Sequence, residues 1–479
     1  MRSFPRLSLG FLLTVSACAG TTRPPQPQTT APVSDAARRT DPPAFAPLAG
    51  QDVPVRAAMG PGKVQLEVRQ AIFTAAWTAV RDKDFDKALV DKEWAPLRSK
   101  YEPLAMAAPD EATFYRLVNE MMGGLGQSHL EVHGPGETPE EDRPEPQASS
   151  SQAAAEVIVV GMGTGDPGVI VREIERKATV FSVRPDSSAA RAGLRPGYLV
   201  THIGGRAVAD LPTSVRALRP VEERFRLRRH AARLLSGPVG TKVSVRFIDG
   251  NDQPHETMLV RDPADRPSVQ VLLMPPIVPE VRTTHAGDVG IVAFNFFLLQ
   301  PILAEVQKAI ESFRRSGAKA IIFDLRGNPG GFGGMAIPVA ARLVSREMSL
   351  GTIQFRDFAN TLAVAPPLDS KPFLGKVIIL TDEGSASTSE ILAAGLQETK
   401  RASVVGDNTV GAALGSTIEA LPGGAVMQIP VAGFKTPQGI AIEGRGVQPD
   451  RRVLETRAAL LAGHDPVLDE ALQLAHSAR

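Results

Sequence analysis

Two short apolar runs, Ala318–Leu325 and Lys376–Thr381, each pass directly into a loop of small residues that opens a helical pattern. The first loop reads Asp324-Leu325-Arg326-Gly327-Asn328-Pro329-Gly330-Gly331-Phe332-Gly333-Gly334, the second Asp382-Glu383-Gly384-Ser385-Ala386-Ser387-Thr388-Ser389-Glu390-Ile391. Buried strands that alternate with helices in this way predict a layered α/β domain. Val289–Phe296 reads as a further strand and Ile302–Arg315 as a helix; helices also follow each loop, over Gly334–Val344 and Thr388–Gln397. The expected α/β domain spans 280–475.

The chain upstream is organised differently. Val68, Ile72, Ala75, Ala76 and Ala79 recur at helical spacing, as do Phe114, Leu117, Val118, Met121 and Met122, so 61–133 reads as a helical domain. Residues 134–155 form an acidic, Pro- and Ser-rich linker. Short alternating runs over 156–265 predict a small β domain. Within it Arg226, Arg228, Arg229, His230 and Arg233 read as one solvated helix face. The fold class is thus multidomain: helical, then β, then α/β.

The N-terminus carries a targeting signal. Met1-Arg2-Ser3-Phe4-Pro5-Arg6, an apolar run to Val15, and Ser16-Ala17-Cys18 form a signal peptide over 1–17, too short to span a bilayer. Val15-Ser16-Ala17-Cys18 resembles a bacterial lipobox, which makes Cys18 the acylated residue, and 18–60 is then a Pro-rich tether. Cys18 is the only cysteine, which excludes an intramolecular disulfide and any Cys-based zinc or redox motif. With 53 Lys+Arg against 52 Asp+Glu, the chain lacks the basic excess of a nucleic-acid binder. The histidines show no metal-ligand spacing; His230, His255, His285, His464 and His476 read as lying in charged or loop-like segments.

Chemistry concentrates in the two α/β loops. The glycines of the first let backbone N–H groups approach a ligand closely, yet no Gly-Lys-Ser/Thr follows to make a phosphate loop. In the second, Ser385, Ser387 or Ser389 could cap the helix, or one could be a nucleophile at its positive end. Serine needs a base, which a His, Lys or carboxylate elsewhere must supply.

Four segments in this order resemble the C-terminal processing/tricorn family of serine peptidases: Asp324–Gly331, Gly384–Ile391, Gly406-Asp407-Asn408-Thr409-Val410-Gly411, and Glu443-Gly444-Arg445-Gly446-Val447-Gln448-Pro449-Asp450. Ala189–Gly197 followed by Ile203–Arg206 resembles the PDZ domain these peptidases carry. Tyr198 stands where that domain usually has aspartate. The resemblance implies a crotonase/Clp-like catalytic domain, a PDZ-like domain over 156–265, and no cofactor or metal. In the catalytic domain it departs at one place. The lysine that completes a Ser/Lys dyad would fall 25 residues beyond Ser387, where Ala412 stands; between Lys400 and Lys435 there is none.

The tricorn-like branch instead implies a Ser–His–Ser–Glu tetrad, matched by Ser387, His129, Ser128 and Glu443. Thr388 with Gly330 or Gly331 would supply the oxyanion hole, and Gly168-Val169-Ile170 the loop that takes a peptide chain end. The expectation is a serine endopeptidase, lipid-anchored in the bacterial envelope, acting on unfolded or C-terminally exposed polypeptides; homo-oligomerisation is left open. The competing expectation, motivated by the missing lysine, is an inactive peptidase fold serving as a peptide-binding scaffold.

Overall fold

The computed structural model describes residues 66–135, 157–160, 165–211, 218–264, 266–271 and 277–477. The signal peptide, the tether with Cys18, and linker positions 136–155 lie outside them. Three helices open the described chain, Leu66–Lys83, Lys87–Met106 and Glu111–Gly123. Asp86 and Asp110 cap the second and third by accepting from Leu89 N and Thr113 N. These helices do not close a core of their own. Phe73, Trp94, Phe114, Met121 and Met122 pack with Leu421, Met427 and Ile429 of the C-terminal half in one apolar cluster. The strand Glu131–His133 then pairs antiparallel with Val426–Lys435. The segment carrying Ser128 and His129 is therefore sewn into the α/β domain.

That domain holds two sheets. One runs Val281–Ala286, Val289–Phe294, Ala320–Asp324, Lys376–Thr381, Ser403–Gly406 and Arg451–Arg452, parallel after its first pair. Both chemistry-bearing loops leave the carboxyl ends of adjacent strands of this sheet, which brings them together. Phe313, Phe323, Ile379, Leu392 and Leu396 fill one face. The other sheet is antiparallel: Glu131–His133, Val426–Lys435, Met348–Phe355 and Ala359–Val364, with Gly415–Ala420 also on Val426–Lys435. Sequence reading assigned it no strands.

The β domain is a sheet ordered Val169–Ile174, Lys177–Val183, Leu199–Ile203, Lys242–Ile248, Pro254–Val260, so Val169–Ile174 is an edge. The helix Pro220–Leu235 packs against it. The basic run on this helix is a solvated face only in part: Arg229 and Arg233 are exposed, whereas Arg228 binds Asp382 at 2.8 Å and Arg224, just ahead of the run, binds Asp407 at 2.6 Å, both across to the α/β domain. Carboxylates left at the ends of the parallel strands attract these arginines. Of the histidines expected in charged or loop-like segments, His230 is buried in the helix Pro220–Leu235, His255 and His285 lie in strands, and His476 ends the last helix, Pro466–His476. Among the described residues no helix is long and apolar enough to cross a membrane.

Candidate active site

The serine cluster resolves into three distinct environments. Ser385 Oγ donates to Leu325 O at 2.8 Å and Ser389 Oγ to Asn328 O at 2.9 Å; both are buried and tie the second loop to the first. Ser387 alone within 381–390 is not buried. It sits directly before the helix Thr388–Glu398 with φ 52° and ψ −116°, a left-handed conformation costly for a side chain. Such a strained strand-to-helix turn lifts the hydroxyl out of the sheet end.

Glu390 holds that turn. Its buried carboxylate accepts from Ser387 N and Ala412 N, both at 2.9 Å, from Gly411 N at 2.7 Å, and from the Thr409 hydroxyl. Burial pushes its pKa up to about 7, against the pull of these four donors. Ser387 N also donates to Ala412 O at 3.0 Å, so the Ser387 turn is bonded directly to the 411–413 segment. Glu390 caps its own helix through Ser387 N; the long-range partners Gly411 and Ala412 that make it a hub have no local signal.

The next peptide of the same segment reaches the histidine. Ala413 N donates to Glu443 Oε2 at 3.0 Å. Glu443 Oε1 accepts Ser128 N at 2.8 Å, and Oε2 accepts Ser128 Oγ at 3.0 Å. Ser128 Oγ lies 2.8 Å from His129 Nδ1. With its proton given to Glu443, Ser128 Oγ is an acceptor for Nδ1–H. That arrangement leaves Nε2 as the basic nitrogen. His129 has φ 57°, a second strained backbone in the same cluster. Removal from water, with Arg229 nearby and Glu131 opposing, lowers its pKa to about 4, so the ring is neutral at pH 7. Burial also raises the pKa of Glu443, opposed by its Ser128 and Ala413 donors. Among the described residues no hydrogen bond joins Ser387 Oγ to His129; Ala412–Ala413 connects them.

The glycine loop lies against Ser387. A Cβ on Gly330, whose φ is +96°, would stand 2.7 Å from Ser387 Cβ and 2.8 Å from Thr388 N, so nothing larger fits. Gly330 N is engaged, donating to Asn328 Oδ1 at 2.9 Å. Gly331 N and Thr388 N, the latter at the first position of its helix, have no backbone acceptor among the described residues. Ala412 occupies the position of the absent lysine, and its peptide groups, not its side chain, bind the turn. In the β domain Gly168 N donates to Asp166 Oδ1 at 2.6 Å, Val169 begins the edge strand, and Ile170 is exposed.

Behind the turn lies a buried ion cluster that sequence reading missed. Arg172, from the edge strand of the β domain, binds Glu383 at 2.6 Å and Glu455 at 3.0 Å and lies 3.4 Å from Asp382. Arg228 closes it from the helix Pro220–Leu235, and Arg219 Nη2 donates to Val410 O at 2.5 Å. Among the described residues no group of three or more His, Cys, Asp or Glu is placed to hold a metal ion.

Comparison with known proteins accords with this architecture. Residues 288–453 match the Peptidase family S41 model and 179–228 a PDZ domain. Carboxyl-terminal-processing proteases of Synechocystis and Picosynechococcus are 25% identical over 396 residues and 26% over 386, each alignment covering at least 80% of this chain and 83% of the relative. A CtpA-like serine protease of Staphylococcus haemolyticus is 24% identical over 286 residues, and there the chain spans about half of the relative, 52%. In fold it resembles the photosystem II D1 C-terminal processing protease (TM-score 0.52, 21% identity, 85% of this chain and 97% of that one) and mature CPAF (TM-score 0.54, 13% identity, 85% and 96%). With an S41 catalytic domain, a PDZ domain and a helical N-terminal region, the chain is a serine-type peptidase similar in architecture to the C-terminal processing proteases.

Proposed function

We propose that the chain hydrolyses peptide bonds with Ser387 as nucleophile and His129, Ser128 and Glu443 as its proton-handling relay. The observation that carries this is the link between two halves of the site: the Ala412–Ala413 segment binds the strained Ser387 turn on one side and the Glu443–Ser128–His129 chain on the other.

A substrate carbonyl seated over Ser387 is attacked by Oγ as His129 Nε2 takes the hydroxyl proton. The imidazolium is stabilised through Nδ1–H to Ser128 and onward to Glu443. The oxyanion forms towards Thr388 N–H and Gly331 N–H. His129 then passes its proton to the leaving amine, and water repeats the sequence on the acyl-enzyme to regenerate Ser387. Catalytic hydrogen bonds of this kind commonly tighten only when substrate is bound, so the unliganded site need not hold Ser387 on His129.

The PDZ edge strand Val169–Ile174 receives an extended chain end by strand addition. With Gly168 N turned to Asp166 and the Val169 side chain buried in the domain core, Ile170 is its exposed side chain. Unfolded or C-terminally exposed envelope polypeptides are the substrates this arrangement suits, with Cys18 acylation holding the enzyme at a membrane. A serine-reactive fluorophosphonate tests the reading. It should label the wild type at Ser387 and spare Ser387→Ala and His129→Ala. Labelling at another serine, or none where an active relative is labelled, rejects it and favours the peptide-binding scaffold.

A further inference from the structure

The helix Pro220–Leu235 presents two rows of basic residues. Arg224 and Arg228, four apart, face the catalytic domain. Arg226, His230 and Arg233, four and then three residues apart, lie along another row. His230 and Arg233 line an open cavity of about 700 Å³ together with Arg206, His202 and Asp210 of the facing strands and turn.

His230 is only 8% exposed, yet neither ring nitrogen has a hydrogen-bond partner among the described residues. A buried polar group left this way costs on the order of 1–3 kcal/mol and calls for an occupant. Arg206 and Arg233 are exposed at the same cavity and make no ion pair among the described residues. Asp210 is the acid at the cavity. A cation is repelled by both guanidinium groups, and a neutral amide leaves their charge unused. An oxyanion satisfies the two arginines and, once the buried His230 ring turns toward it, gives an imidazole N–H an acceptor.

We propose that this cavity is an oxyanion site that takes a carboxylate or phosphate group, with Arg206 and Arg233 as its charged walls and His230 as the inner donor. It uses none of the residues assigned to Ser387 chemistry or to the edge strand, and it stands independently of the catalytic reading. Burial, followed by Arg233, Arg206 and Arg226, depresses the His230 pKa, with Asp210 opposing; a bound anion reverses the direction.

The test uses the full chain labelled with carbon-13 at the imidazole Cε1, whose eight histidines give eight resonances, with His230 assigned from His230→Gln. Inorganic phosphate and acetate are titrated separately at constant ionic strength against chloride. The expected result is a saturable shift of the His230 resonance and a rise of its pKa, with affinity lowered about tenfold or more in the Arg206→Ala, Arg233→Ala double variant. Both substitutions are at exposed positions, and unchanged resonances of the distant histidines report an intact fold. Tighter binding of phosphate identifies a phosphoryl ligand, and equal or tighter binding of acetate a carboxylate; either supports the site. A shift that never saturates, or one that persists unchanged in the double variant, means an adventitious ion only and overturns it.

Discussion

Removing one hydroxyl tests the proton relay without touching the nucleophile. In Ser128→Ala, His129 Nδ1 loses its 2.8 Å partner, while Glu443 keeps the backbone N–H of residue 128 at 2.8 Å and Ala413 N at 3.0 Å. The segment should therefore stay in place. What disappears is a hydrogen bond that strengthens when the ring becomes imidazolium in the transition state. Hydrogen bonds to charged groups contribute about 1.5–3 kcal/mol, so kcat should fall roughly 10- to 150-fold with KM little changed. Ser128→Thr, which retains the hydroxyl, should restore most of it. The pH profile adds a signed check. His129 acts as a base when neutral, so wild-type activity falls as pH drops through its pKa of about 4. Loss of the Ser128–Glu443 relay removes support for the charged ring and moves that limb lower. Single-turnover hydrolysis of an unfolded polypeptide measures both. A loss below twofold, failure of threonine to rescue, or an upward shift of the acid limb refutes the relay.

Two further outcomes concern stability. Arg172→Met leaves Glu383, Asp382 and Glu455 buried without their central cation and should cost about 3–5 kcal/mol, read as a lowered calorimetric midpoint; an unchanged midpoint would show that Arg228 and Arg326 neutralise the cluster alone. Asp84 is buried and hydrogen-bonded to Asp86 N and Gln127 Nε2, and burial raises its pKa from 3.8 to about 6. The native state thus holds this proton more tightly than the unfolded chain, and the associated stability, complete below 3.8, is lost as pH rises through 6. Asp84→Asn cannot ionise. It should match the wild type near pH 4 and exceed it by up to about 3 kcal/mol at pH 8 in urea unfolding, and a constant difference across pH would contradict the assignment.

Sequence alone reached the α/β layer and the three central strands of its parallel sheet because those are continuous apolar runs, two of them ending in loops of unusual composition. It missed the antiparallel sheet for the opposite reason: Met348–Phe355 and Ala359–Val364 are only partly buried and mix polar with apolar positions, so neither period stands out. The helical segment was legible as helices, but not as sharing a core with Leu421, Met427 and Ile429, nearly 300 residues beyond it. In the site, residue types were readable and their connections were not. Nothing local marks Glu390 as binding Gly411 and Ala412, and nothing in a basic run separates Arg228, which crosses to Asp382, from a solvated arginine. Long-range ion pairs leave no periodic trace.

The central claim is that a histidine, not a lysine, activates Ser387 in a chain with Ala412 at the dyad position. The direct measurement is kcat/KM for hydrolysis of an unfolded polypeptide by the wild type, His129→Gln and Lys435→Ala, Lys435 being the first lysine after Lys400. The account predicts a loss of at least about 10³-fold for His129→Gln and a value within about twofold of wild type for Lys435→Ala. Activity retained within tenfold by His129→Gln, or abolished in Lys435→Ala with the fold intact, would contradict it.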